Sequence, residues 1–228
     1  MPATQPVPPG AGPVPTDARP AVAEAVRTAI LQGEYAPGQR LIEADLCARY
    51  GASRFIARAA LQELSAQGLV EFQRNRGARV REISLEEAIE ITEVRKLLEG
   101  LGAARAAERV TAAEAAALRG IVTGMRAAVA RSELLRYSEL NARLHAAIRD
   151  ISAHETSARL LRQLRDQTVR HRFSLSLVPG RPAVSLPQHE AIVAAVTARD
   201  PAAAERAMHD HLQSVIEALQ ALPVAALR

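Results

Sequence analysis

A single cysteine, Cys47, and a single lysine, Lys96, stand in a chain of 228 residues that has no tryptophan. One cysteine excludes an intramolecular disulfide and any zinc finger built on paired thiolates. Cys47 falls between Leu46 and Ala48 in a helical stretch, where a small buried hydrophobe is the expected role. No apolar run is long enough to span a bilayer. The segment up to about Arg19 is rich in proline and glycine and lacks the basic start and apolar centre of a signal peptide. Residues 1–19 are therefore expected to be a disordered tail, and the chain to be cytoplasmic. Beyond Ser84 strand signals vanish as well, and no internal repeat is evident.

What is present is arginine. Between Arg19 and Arg81 there are ten arginines against six acids, an excess equal to the formal net charge of +4 for the whole chain. The basic bias therefore sits in the N-terminal third, and arginine suits bidentate contacts with phosphate and guanine.

The stretch Ala52–Val80 organises that charge. Ser53 offers a hydroxyl to an orphan N–H of the following helix. Arg54 and Arg58, four apart, share one exposed face near its N-terminus. Leu61, Leu64 and Leu69 supply the apolar side, and Gly68 suits the left-handed position after the last turn. Strands follow at Val70–Phe72 and Ala78–Arg81, with Arg74 and Arg76 in the turn between them. Upstream, Val22–Leu31 has helical spacing, Gly33, Pro37 and Gly38 break it, and Ile42–Tyr50 makes a short second helix that ends at Gly51. Helix, glycine-containing turn, helix, then a two-stranded wing is a winged helix-turn-helix, suited to a DNA major groove. The alternative for these residues alone is a small α/β domain with an ordinary solvated basic face.

Residues 20–82 resemble the reader domain of the GntR family of bacterial transcription regulators. Leu46, Gly51, Ser53, Arg54, Arg58, Ala60, Leu61, Leu64, Gly68, Leu69, Val70, Arg76 and Gly77 carry the resemblance. It implies a DNA-binding set of Ser53, Arg54, Arg58, Arg74, Arg76 and Gly77. Phe55 and Ile56 replace the family's usual Thr-Pro, and Ala59 replaces its usual Glu, so base preference is expected to differ from that of relatives. Ala44 stands where some members carry a further DNA-contacting arginine, and that role is not transferred.

From Ser84 onward capped helical patterns follow one another. Ser84 with Glu87 and Thr111 with Glu114 have capping-box spacing, and Asp200-Pro201 is a further helix start. Six helices are expected, at about 85–108, 112–130, 133–150, 154–173, 187–198 and 201–220. Pro179, Gly180, Pro182 and Pro187 should forbid a continuous helix from Ser176 to Pro187. The fold class is thus mainly α, an N-terminal winged helix-turn-helix followed by an all-α antiparallel bundle over residues 84–221.

Histidines mark what the bundle does. Asn141 and His145 are four apart and stack on one helical face. His189 opens the fifth expected helix and His211 lies in the sixth. Each is eleven residues from a turn at about residue 200, so in a hairpin both reach the same height, roughly 16 Å from that turn. Three imidazoles and an amide oxygen could then converge into a set suited to Zn, Ni or another borderline metal, the alternative on spacing alone being unrelated surface or core histidines. His154, His171 and His209 receive no role.

Residues 85 to 220 resemble the all-helical FCD effector domain of the FadR-like branch of the same family, and six helices point to its VanR-like subgroup. The resemblance implies a metal set of Asn141, His145, His189 and His211, with Asn141 standing where aspartate is commonest. It also implies a small carboxylate effector beside the metal, for which Arg95, Arg170 and Arg172 are candidate clamps. The function implied is a DNA-binding regulator of transcription, a repressor rather than an enzyme. It would act as a homodimer on an inverted-repeat operator. Two alternatives stay open: a DNA-binding dimer whose helical domain is empty, and a three-histidine metalloenzyme, for which Glu190 is the only candidate base.

Overall fold

The computed structural model describes residues 19–176 and 178–222; the tail expected over residues 1–19 lies outside them save for Arg19. The chain divides into two compact units, one ending at Glu82 and one beginning at Ile83.

The first unit comprises α1 (Arg19–Leu31), β1 (Arg40–Leu41), α2 (Glu43–Tyr50), α3 (Arg54–Ala66), β2 (Val70–Gln73) and β3 (Gly77–Val80). Ile42 is the N-cap of α2 rather than its first residue, and Gly51 closes that helix in the left-handed region at φ 63°. Gly68 adopts φ 74° after α3, and the Leu69 N–H reaches back to the Leu64 carbonyl at 3.0 Å, the expected glycine stop. The strands form an antiparallel sheet of order β1-β3-β2, with Arg40 opposite Arg79 and Val70 opposite Val80. β1 was not expected. At two residues it is too short to show a period, and it exists because β3 offers it a partner. Val22, Val26 and Ile30 of α1 pack on Ala57, Ala60, Leu61 and Leu64 of α3 and on Val70, Ala78 and Val80 of the sheet. That burial leaves the opposite side of α3 facing out. Cys47 is half-buried against this core. Arg49 lies 5.4 Å from the ring centres of both Tyr35 and Tyr50 and pairs with Glu34, tying α2 to the loop after α1.

The second unit contains α4 (Leu85–Arg109), α5 (Ala112–Ala130), α6 (Leu134–Ser152), α7 (Glu155–Gln167), α8 (Val169–Ser176), α9 (Arg181–Thr197) and α10 (Pro201–Gln220). Ser84 accepts from the Glu87 N–H, Thr111 and Glu114 close both halves of a capping box, and Asp200 accepts from the Ala203 N–H at 2.9 Å. Leu118, Met125, Leu144, Ile148, Ile192, Val196, Met208 and Leu212 fill the bundle core. α4 lays Gly100, Gly102, Ala103 and Ala106 toward its neighbours, and α10 packs closely along it. The His209 ring lies over Gly100, 2.2 Å from where a Cβ would stand.

Two expectations need correction. The described residues of this unit hold seven helices, not six, because the stretch expected over 154–173 is broken at Thr168. The Thr168 hydroxyl donates to the Leu164 carbonyl at 3.1 Å, and the Arg172 guanidinium donates to the Arg165 carbonyl at 3.2 Å. Side chains thus take carbonyls that a continuous helix would have bonded to its own backbone. The helix count that pointed to the VanR-like subgroup does not stand. The second correction concerns the prolines. α9 starts at Arg181, six residues earlier than expected: Pro182 sits in its first turn, where no N–H is needed, and Pro187 is accommodated inside the helix. His189 is therefore an interior residue of α9, with Ser185 and Gln188 on the same helix.

Candidate functional site

Three helices bring three histidines together. α6 carries His145, α9 His189 and α10 His211, and all three are buried, His189 completely. Their ring centres lie 5.6 Å (His145–His189), 5.4 Å (His145–His211) and 4.3 Å (His189–His211) apart. One ring nitrogen from each falls within 4.8 Å of the other two. The turn at residues 198–200 folds α10 back along α9, and equal spacing from that turn brings His189 and His211 level.

Each imidazole is held through Nδ1. His145 Nδ1 lies 2.5 Å from Glu99 Oε2, His189 Nδ1 3.0 Å from the Tyr137 hydroxyl, and His211 Nδ1 3.0 Å from Gln188 Oε1. The Glu99 carboxylate and the Gln188 oxygen accept, so His145 and His211 carry their proton on Nδ1 and leave Nε2 as a lone pair. His189 Nε2 is buried with no hydrogen-bond partner, as is Asn141 Oδ1 one turn before His145. Buried polar atoms are seldom left unpaired. Burial pushes the pKa of His189 and His211 well below the usual histidine value, and that of His145 down despite the pull of Glu99. Neutral imidazoles with aligned lone pairs are the form that binds a metal. The donor set of three imidazoles and an amide oxygen therefore fits a borderline divalent ion such as Zn or Ni.

Glu99, on α4, is the hub of a second set. Burial alone would raise its pKa, but Arg95, His145 and Arg165 outweigh it and hold the carboxyl well below the usual range. Arg95 donates to Glu99 Oε1 through Nε at 3.1 Å and Nη2 at 2.7 Å, and Arg165 Nη1 stands 3.5 Å from the same oxygen. Arg95 Nη1 is buried without a partner. Next to this set opens a cavity of about 180 Å³, lined by Asn141, His145 and His211 and by Arg95, Arg165, Arg172 and Arg181. Among its described lining residues there is no acidic side chain. Burial and neighbouring arginines pull Arg165 down to about 10 and Arg172 well below the usual arginine value. A buried cluster of like charges of this kind is relieved by an anion.

Of the expected clamps, Arg95 and Arg172 line the cavity. Arg170 does not: two residues from Arg172 on α8, it projects to a different side and is exposed. Sequence reasoning missed Arg165, Arg181, Glu99, Tyr137 and Gln188. Arg165 left a signal, because it falls four residues after Leu161 on the apolar stripe of α7, where a lone arginine is out of place. Glu99 left one too, within the small-residue stripe of α4 four after Arg95. Glu190, the candidate base of the enzyme alternative, pairs with Arg126 at 2.7 Å instead.

The first unit presents the second candidate surface. Ser53 Oγ accepts from the Ile56 N–H at 3.3 Å, so its hydroxyl caps α3. Arg54 and Arg58 project from the exposed side of that helix. Arg74 and Arg76 are exposed in the turn between β2 and β3, which Asn75 at φ 61° and Gly77 at φ 79° shape. Gly77 thus supplies a backbone conformation that glycine adopts readily. Arg40, absent from the expected set, lies beside Gly77.

Sequence and fold comparisons agree with this division. The family model described as "Bacterial regulatory proteins, gntR family" matches residues 19–80, and that of the FCD domain matches residues 90–214. The chain is 29% identical over 185 residues to the HTH-type transcriptional repressor RspR of Escherichia coli (strain K12), covering 81% of each. It is 30% identical over 211 residues to the HTH-type transcriptional regulator LutR of Bacillus subtilis (strain 168), covering 83% of this chain and 95% of LutR. Among solved structures, E. coli McbR/YncC superposes with a TM-score of 0.72 at 20% identity, over 90% of this chain and 98% of that one. RspR and LutR are named as regulators of transcription.

Proposed function

The chain belongs to the gntR family of bacterial regulatory proteins and carries an FCD domain, and from that membership we propose a metal-dependent, carboxylate-responsive repressor. It is a DNA-binding transcription regulator of that type. In this reading residues 20–82 read DNA, and residues 84–221 bind the effector and join two copies into a cytoplasmic homodimer. Among the described residues no helix is long and apolar enough to cross a membrane. RspR, which this chain resembles, is named a repressor, and the same output is proposed here.

The observation that carries the sensor reading is the meeting of three buried imidazoles with a cavity lined, among the described residues, by four arginines and no acid. His145, His189 and His211, with the unpartnered oxygen of Asn141, would hold the metal. Bound there, a divalent ion supplies Lewis-acid positions that attract a carboxylate oxygen. Glu99 fixes the tautomer and direction of His145. Arg95, Arg165 and Arg172 neutralise and orient an anion in the cavity, and Arg181, held by Ser214 at 2.9 Å, closes its other side.

On the DNA side, Arg54 and Arg58 read the major groove, with Ser53 setting the pose of their helix, while Arg74 and Arg76 grip the backbone or minor groove from the turn that Gly77 shapes. A two-fold dimer matches an inverted repeat. Effector binding changes DNA affinity only if the effector prefers one of the two dimer states. Gel shifts with DNA upstream of the gene test the reader: Arg54→Ala and Arg58→Ala should each weaken binding and lower its salt dependence by about one unit of slope for each phosphate no longer neutralised. Unchanged affinity and salt dependence in both variants would overturn the assignment of α3.

A further inference from the structure

Phe55 is 78% exposed, the most exposed large hydrophobic side chain among the described residues. It follows Arg54 at the start of α3. At about 100° per residue, Phe55 lies roughly 60° from Arg58 and almost opposite the centre of the buried sector formed by Ala57, Ala60, Leu61 and Leu64. It therefore points straight out from the helix, with Arg58 and Arg54 about 60° and 100° round the axis on one side of it. A phenylalanine there contributes nothing to the core of its own unit and leaves apolar surface in water. Ala59, four residues on, lies in the same stripe. The two departures from the family pattern on this helix face, an aromatic gained at 55 and a carboxylate missing at 59, are thus neighbours. A glutamate at 59 would set a charge against the ring, and alanine leaves the ring an apolar flank.

We propose that Phe55 reads thymine, its ring packing on the C5-methyl group in the major groove while Arg54 and Arg58, on one side of it, engage neighbouring bases or phosphates. The inference rests on the assignment of α3 as the DNA-reading helix. The thymine methyl is the one apolar group among the base edges of the major groove, so an apolar side chain aimed there discriminates by it.

Deoxyuridine tests this, because it removes the methyl and leaves pairing intact. Full-length protein is used to select its operator from random duplex DNA, and each thymine of the selected half-site is then replaced in turn by deoxyuridine, with affinity read by fluorescence anisotropy. At one position per half-site the replacement should weaken wild-type binding about fourfold, the transfer free energy of one buried methyl. Phe55→Ala should bind the thymine and deoxyuridine operators equally, and Phe55→Leu should keep part of the difference. Both variants should melt with the wild type, since the ring is exposed. A wild type indifferent to every replacement, or a Phe55→Ala variant that keeps the wild-type penalty for deoxyuridine at the same position, overturns the inference. Arg54→Ala on the same duplexes separates the two layers. If it weakens binding while the deoxyuridine scan is flat, only the thymine contact fails; if it has no effect, the reading of α3 fails and the contact with it.

Discussion

Glu99 Oε2 and His145 Nδ1 meet at 2.5 Å in the buried middle of the helical unit, and that bond joins the histidine cluster to the arginine-lined cavity. A carboxylate behind an imidazole fixes its tautomer and raises its strength as a ligand. The same carboxylate is the counter-charge for Arg95 and Arg165. In the proposed sensor one residue would thus serve the metal side and the anion side together.

Glu99→Gln should therefore fail in two ways. Metal affinity, read by competition with a chelator, should fall about 10- to 100-fold. Thermal stability should fall too, because removing one partner of a buried ion pair costs about 3–5 kcal/mol. Retention of metal at wild-type affinity would show that the Glu99–His145 bond does not orient a ligand.

Asn141→Asp should act in the opposite direction. The unpartnered Asn141 oxygen would become a charged ligand, and affinity for Zn or Ni should rise by about tenfold or more. Titration of untagged, metal-free protein against a competing chelator reads this directly. Equal affinities would place position 141 outside the coordination set.

Arg172→Met separates stability from sensing. Arg172 packs beside Arg165 and Arg95, and burial together with their like charges depresses its pKa. Removing it relieves that repulsion and also forfeits its bond to the Arg165 carbonyl, so the melting temperature of the free protein should change little. The rise in melting temperature that small hydroxy- or dicarboxylic acids give the wild type should shrink. A large drop in the stability of the free protein would instead assign Arg172 a structural role.

The features legible in the sequence are those set by local chemistry. Ser53, Gly51 and Gly68 fix the ends of α2 and α3 through bonds a few residues long, so the reader helix could be placed from its own residues. Asn141 and His145 share a face by spacing alone, and His189 and His211 become level by symmetry about one turn. The missing parts depend on contacts made across the fold. Tyr137 and Gln188 meet His189 and His211 only once α6, α9 and α10 are packed. Arg165 and Arg181 reach one cavity from helices that sequence spacing does not relate. The break at Thr168 arises from a hydroxyl that competes with the backbone, and Pro187 lies inside α9 because a helix held on both sides tolerates a proline that an isolated one would not.

In the proposed regulator the helical unit controls DNA binding through a metal and a carboxylate. The most direct measurement of that control is the affinity of full-length protein for its selected operator, by anisotropy, across a panel of small hydroxy- and dicarboxylic acids, in metal-loaded and chelator-treated samples. At least one acid should lower operator affinity in the metal-loaded protein, and the effect should disappear in the chelator-treated protein and in His211→Ala. Operator affinity that no acid alters, or an acid response identical with and without metal, would contradict it.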